Sequence, residues 1–152
     1  MKNGTSVFES KHGIVSRQPA ELYMAFTDMR NFQQMLPEER RSQVTADMDT
    51  LSATVQGFTV GVKVFQRTPY SRIELVDYGA PFAFHIDLCF DPGPVGGLTC
   101  DFHIRAEAEL NLMMKMMLGG KIREMLDKIV DGLVDVSNGK MPEGFDPSKM
   151  GF

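Results

Sequence analysis

The chain has 152 residues and a formal net charge of −4 at pH 7, with 43% apolar and 24% charged residues. These values are ordinary for one soluble globular domain, and the length is sufficient for a substantial core. The acidic balance argues against a nucleic-acid partner, which would require clustered lysine and arginine. No apolar run approaches the roughly 18 residues that a membrane-spanning helix requires. The N-terminus has no apolar signal segment, so we expect a cytoplasmic protein.

The first third of the chain predicts one strand followed by two short helices. The strand is expected over residues 7–16, and Pro19 then occupies the favoured first position of a helix. A second short helix, near 30–36, should end before Pro37, because the residue before a proline disfavours helical geometry. Apolar residues follow Pro19 at helical spacing: Leu22, Tyr23, Phe26 and Met29.

Six further strands are predicted, separated by turn-like segments rich in glycine, proline and aspartate. Apolar and polar residues alternate most clearly in the last two, which predicts an antiparallel sheet with one apolar and one wet face. Cys89 and Cys100 fall on opposite faces of this hairpin, so we expect two free thiols. The six strands are expected at 42–47, 51–56, 59–66, 72–77, 83–91 and 98–109.

A long amphipathic helix is predicted over Asn111–Val136. It would span about 39 Å at 1.5 Å per residue. A curved sheet wrapped around such a helix would leave an apolar cavity between them. Gly119 and Gly120 interrupt the helical pattern, which indicates a close approach to the sheet, a kink or a helix break. The apolar stripe expected to face the sheet contains Leu118, Ile122, Met125, Leu126, Ile129, Leu133 and Val136.

The order of strand, two short helices, six strands and long terminal helix resembles the helix-grip fold of the START-like superfamily, also called SRPBCC or polyketide cyclase-like. The local likeness lies in segments 8–10, 19–23, 28–32 and 108–111, the last of which is similar to a small, uncharacterised bacterial branch. The resemblance implies an α+β domain with about seven antiparallel strands around the C-terminal helix. We expect a single domain over 1–152, with its core at about 6–137 and an irregular tail at 138–152.

Members of this superfamily include lipid carriers, hormone and flavonoid binders, and cyclases, so the fold does not determine the function. We expect a cavity that binds a hydrophobic or amphipathic small molecule, such as a lipid. A cyclase-like or hydrolase-like enzyme using the same cavity, a protein-interaction module with a collapsed cavity, and a homodimer remain alternatives. The expected walls are Val62, Val64, Phe84, Ile86, Leu88, Phe102, Ile104, Met113, Met116 and Met117, with Phe26, Met29 and Phe32 near the mouth and Ser10, His12 and Tyr23 as polar orienters.

No catalytic residue, metal or cofactor is assigned from the sequence. The chain has no nucleophile elbow and no cysteine with a nearby histidine on the same predicted face. If residue 85 lay opposite residue 103, then His85, Asp87, Asp101 and His103 would form a nitrogen and oxygen set suited to zinc. That register depends on an assumed loop of five residues between the two strands. In addition, such residues on an exposed face are normally solvated. We therefore expect a fold that requires no metal.

Overall fold

The computed structural model describes residues 5–34, 38–55, 58–79, 82–95 and 97–139. Four helices and eight strands occur in these ranges. One short helix, α3 (Glu38–Arg41), was not predicted. Its single turn begins with two acidic residues, which favour a helix N-terminus, but one turn carries no periodic signal. The elements are β1 (Thr5–Glu9), β2 (Gly13–Val15), α1 (Pro19–Phe26), α2 (Arg30–Gln34), α3 (Glu38–Arg41), β3 (Val44–Ala46), β4 (Thr50–Val55), β5 (Phe58–Thr68), β6 (Arg72–Asp77), β7 (Phe84–Pro92), β8 (Cys100–Glu109) and α4 (Leu112–Ser137).

The strands form one antiparallel sheet in the order β1-β8-β7-β6-β5-β4-β3, and β2 also pairs with β8. The predicted first strand is therefore two strands, because Ser10 interrupts it. The Ser10 N–H donates to the Ile104 carbonyl at 2.9 Å, while Ser10 Oγ accepts from the Ile104 N–H at 2.9 Å. The pairing shifts by one residue between Glu9↔Arg105 and Gly13↔Phe102, as it does at a β-bulge.

The register of the β7–β8 hairpin differs from the one considered for the metal set. His103 lies opposite Cys89, and Asp101 lies opposite Asp91. His85 instead faces Glu107. The assumed register is wrong because β7 continues through Pro92 and β8 begins only at Cys100, so the connecting loop is longer than assumed.

The long C-terminal helix is confirmed, although its buried stripe is rotated from the predicted one. Met125 and Ile129 are 55% and 36% exposed, so they are not core residues as predicted. The side chain of Val136 lies outside the described part. A row at spacing i+4 turns gradually around a helix with 3.6 residues per turn, so α4 crosses the sheet obliquely. The buried and half-buried row is Met114, Leu118, Ile122, Leu126, Val130 and Val134, with Leu133 beside it.

The helices cover different parts of the apolar face, which we call the inner face. α4 contacts chiefly β1, β2 and β8, whereas α1 contacts β6, β7 and β8. The inner residues of β4 and β5 are covered less completely: Leu51, Val62 and Val64 pack against the core but remain partly exposed. None of the described helices is both long and apolar enough to cross a bilayer.

Candidate functional site

One end of the inner face is filled by aromatic side chains. The Phe26 ring lies 6.1 Å from that of Phe102 and 6.2 Å from that of Phe90, and the Phe90 and Phe102 rings are 5.5 Å apart. Three expected cavity walls and two residues expected near the mouth are fully or almost fully buried in this cluster and its surroundings, so they form packed core rather than the lining of an open space: Leu88, Phe102 and Ile104, and Phe26 and Met29.

The other end of the inner face carries small side chains on β1 and β8, at one edge of the sheet. One cross-strand row joins Ser6, Ala108 and Phe84. The next row joins Phe8, Ala106 and Ile86, and continues to Leu75 and Val64. Phe84, Ile86, Val62 and Val64 are half-buried. We call the residues Ser6, Ala106, Ala108, Phe84, Ile86 and Val64 the small-residue end.

Ser6 is a candidate ligand contact that the sequence analysis missed. It is 5% exposed, and its Oγ is buried without a hydrogen-bond partner among the described residues. A buried hydroxyl without a partner is energetically unfavourable, so it favours a polar atom supplied from outside the chain. The alternation of Ser6, Phe8 and Ser10 along the chain was the available signal, because it places all three on one side.

The methionine cluster does not line the interior. Met113, Met116 and Met117 are all exposed, and only Met114 packs against the core. The expectation that these three residues are cavity walls is wrong because the buried i+4 row of α4 passes through Met114, and the other three lie away from it. Together with the exposed Leu112, they form an apolar surface on the first turns of α4.

The three polar orienters have different positions from those expected. Ser10 is buried, and its hydroxyl is engaged with the backbone of Ile104 and Lys11, so it is not available to a ligand. Tyr23 is buried at the aromatic end, where its ring makes an edge contact with Phe90 at 6.4 Å. His12 does not point inward, because it lies beside Asp101 on the outer face of the sheet.

The predicted metal set is divided between two clusters on that outer face. His85 Nε2 lies 3.2 Å from Glu74 Oε1 and 2.9 Å from Asp87 Oδ1. Separately, His12 Nδ1 lies 2.8 Å from Asp101 Oδ1, and the His12 and His103 rings stack with centroids 4.1 Å apart. The two clusters are separate because, in the β7–β8 pairing, His103 lies opposite Cys89 and not opposite His85.

The outer face is also less exposed than expected. Asp87 and Cys89 are both buried there. Burial raises the pKa of the Cys89 thiol, and burial also lowers the pKa of His103, with the neighbouring His12 acting in the same direction. The imidazole of His103 is therefore held more readily in its neutral form.

The helix continues through Gly119 and Gly120, so they are not a helix break. A Cβ on Gly119 would lie 3.6 Å from Phe8 Cε1, an ordinary contact, and a Cβ on Gly120 would have no atom of the described residues within 4 Å. A surface depression of about 580 Å³ lies beside the two glycines, with Phe8 among its lining residues. Phe8 thus connects this depression to the inner face.

Neither family models nor curated proteins match this chain, but several solved structures do. A protein from Thermobifida fusca has a TM-score of 0.66 at 10% identity, covering 90% of this chain and 97% of that one. Norcoclaurine synthase from Thalictrum flavum, in complex with dopamine and hydroxybenzaldehyde, has a TM-score of 0.64 at 12% identity, covering 91% and 90%. A START superfamily protein from Mycobacterium smegmatis has a TM-score of 0.58 at 15% identity, covering 87% and 97%.

These likenesses define the class of fold. The curved antiparallel sheet and long C-terminal helix form an α+β helix-grip domain. The fold is START-like, as the resemblance predicted. At these identities the likeness concerns the fold alone.

Proposed function

We propose that the chain binds an apolar or amphipathic small molecule at the small-residue end. The observation that carries this proposal is the uneven size of the side chains on the inner face. Phenylalanines pack one end, whereas the small residues Ser6, Ala106 and Ala108 lie at the other. Small side chains there, bordered by half-buried Phe84 and Ile86, are suited to a guest molecule that completes the packing.

Binding would be driven mainly by burial of apolar surface. Removing about 200 Å² of ligand surface from water is worth about 5 kcal/mol before ordering costs. The Ser6 hydroxyl, which has no hydrogen-bond partner among the described residues, would orient a ligand by hydrogen bonding to one polar group. START-like neighbours support a ligand-binding fold in general, and one of them was solved with dopamine and hydroxybenzaldehyde bound.

We propose binding rather than catalysis because of the residues in the two rows. The row through Ser6 and the row through Phe8 contain no acidic, basic, histidine, cysteine or tyrosine side chain. General acid–base catalysis requires such a group within hydrogen-bonding reach of the reacting atoms. A ligand held there would be sequestered and oriented.

The first experiment identifies a ligand and locates it. Native mass spectrometry of freshly purified protein should reveal a retained small molecule, and an apolar fluorescent dye should bind with saturation. Ile86→Lys should abolish dye binding, because it places a charge among the half-buried inner residues. Ile14→Lys is the matched control: Ile14 is an exposed strand residue outside the small-residue end, so its substitution should leave binding unchanged. Equal dye binding by both variants would contradict the proposal.

A second variant tests whether the interior at the small-residue end is open or already filled by side chains. Ala108→Leu should fill the space, so it should block dye binding while the protein remains stable. If the interior is already closed, the added methyl groups would overpack it and reduce the free energy of unfolding by about 1–3 kcal/mol. That loss of stability, with no dye bound by the unsubstituted protein, would favour the alternative of an interaction module. Ser6→Ala should weaken binding only of ligands with a polar group.

A further inference from the structure

Three potential metal ligands from separate segments lie together on the outer face. Asp101 and His103 are two residues apart on β8, so both side chains project from the same side of the sheet. His12 belongs to the loop between β1 and β2. One donor atom from each of the three residues lies within 4.8 Å of the others. The His12 Nδ1 and Asp101 Oδ1 atoms are already 2.8 Å apart.

The fold holds the His12 loop rigidly beside β8. Ser10 fixes one end through its paired bonds to Ile104, and Gly13 begins the pairing of β2 at the other end. Between them, the Lys11 N–H donates to Asp127 Oδ1 at 2.7 Å, and Lys11 Nζ lies 2.6 Å from Asp131 Oδ1. The loop is thus attached to β8 on one side and to α4 on the other. Ser10 is a positioning residue for His12.

Two imidazoles and one carboxylate form a ligand set typical of first-row transition metals. Donors bound to one tetrahedral ion at about 2.0–2.2 Å lie about 3.3–3.6 Å apart. His12 Nδ1 and Asp101 Oδ1, at 2.8 Å, are already slightly closer than this. His103 Nδ1 is buried without a hydrogen-bond partner among the described residues, and Asp91 Oδ2 lies 4.0 Å from it. The His12 side chain is 58% exposed, so an ion can reach the site from solvent.

We propose that His12, Asp101 and His103 form a binding site for a divalent transition metal of the zinc class. Small side-chain rotations would bring the three donors to bonding distance of one ion. The core lies on the opposite face of the sheet, so the site adds to a fold that forms without it. The Glu74–His85–Asp87 cluster is a weaker candidate for a metal of this class because it offers only one imidazole beside its two carboxylates.

Zinc titration of the chelator-treated full chain tests this assignment. Isothermal titration calorimetry should show saturable binding of one Zn²⁺ per chain. In imidazole NMR spectra, the signals of His12 and His103 should shift during the titration, whereas that of His85 should not. His12→Gln and Asp101→Asn should each weaken binding by about tenfold or more, and both residues are sufficiently exposed for the variants to fold.

His85→Gln is the matched control, because it removes the imidazole of the other cluster. It should bind zinc as tightly as the unsubstituted protein does. Unchanged affinity in His12→Gln, a loss of binding in His85→Gln, or the absence of saturable binding would each overturn the proposal. None of these results depends on the inner face, so failure here is distinguishable from failure of the proposed small-molecule site.

Discussion

Gly13 on β2 lies directly against Val130 on α4: a Cβ built on the glycine would stand 2.5 Å from Val130 Cγ1. It would also stand 2.7 Å from Val134 Cγ2. Valine side chains have restricted χ1 rotation, so neither can easily move aside. The missing side chain at residue 13 therefore allows the C-terminal half of α4 to pack closely on the sheet.

We expect Gly13→Ala to reduce the free energy of unfolding by about 1–3 kcal/mol through overpacking. Gly120→Ala should instead increase the free energy of unfolding by about 0.5–1 kcal/mol, because alanine is the better helix former. Its Cβ would have no atom of the described residues within 4 Å. Chemical denaturation of both variants measures the two changes. A stabilising Gly13→Ala would show that α4 does not pack as closely as described.

Leu126→Ala should reduce the free energy of unfolding by about 2–5 kcal/mol, because Leu126 is 4% exposed in the core. Ile129→Ala should have a smaller effect, because Ile129 lies off the buried row of α4 and is 36% exposed. Urea denaturation compares the two under one condition. Equal losses would support the stripe predicted from the sequence over the rotated one.

The stability of the protein should decrease in mildly acidic solution, in part because of His103. Burial lowers the pKa of His103 from its ordinary value of 6.5, and the nearby His12 lowers it further. The carboxylates of Asp91, Asp101 and Glu9 act in the opposite direction. The unfolded chain then takes up the proton more readily than the folded chain. This contribution to stability is therefore present above about pH 6.5 and is lost as the pH falls through the lower folded pKa.

The test compares urea denaturation of the wild type and His103→Gln at about pH 7.5 and pH 5.5. The difference between the two pH values should be smaller in the variant, since glutamine does not titrate. Groups far from residue 103 are unaffected by the substitution, so the comparison reports on His103 together with its stacked neighbour His12. An identical pH dependence would exclude the lowered pKa.

Both thiols should resist alkylation in the folded protein. Burial raises the pKa of Cys100 to about 12 and also raises that of Cys89, so neither forms the reactive thiolate readily. Mass spectrometry after iodoacetamide treatment at about pH 8 should show no adduct on the native chain and two adducts on the urea-unfolded chain. Rapid labelling of native Cys100 would show that its strand opens.

Much of the fold could be predicted from the alternation of residues along the strands. Leu88, Phe90, Phe102 and Ile104 alternate with polar neighbours, and all four are buried on the inner face. The long C-terminal helix was predictable for the same reason: apolar residues recur along it at helical spacing, and the structure confirms the helix. Both cysteines are free and buried.

The candidate sites were less predictable because they depend on register and on irregular backbone. A longer loop between β7 and β8 separated the histidines expected to face each other. Met113, Met116 and Met117 lie in a run that is apolar almost throughout, so periodicity could not identify the buried residue among them. His12 lies in a bulge that Ser10 creates, and no local pattern predicts which way a bulged residue points.

The pairing of β1 with β8 also determines how the chain reaches this structure. Thr5 pairs with Glu109, so about a hundred residues of chain must be closed into a loop before that contact forms. Strands β3 to β8 pair with their neighbours along the sequence, and such local hairpins form quickly. We expect the β3–β8 meander to fold first, with the N-terminal strands docking last. Ser6 and His12 both belong to that N-terminal segment, so a partly folded chain would contain neither the proposed inner site nor the proposed outer site.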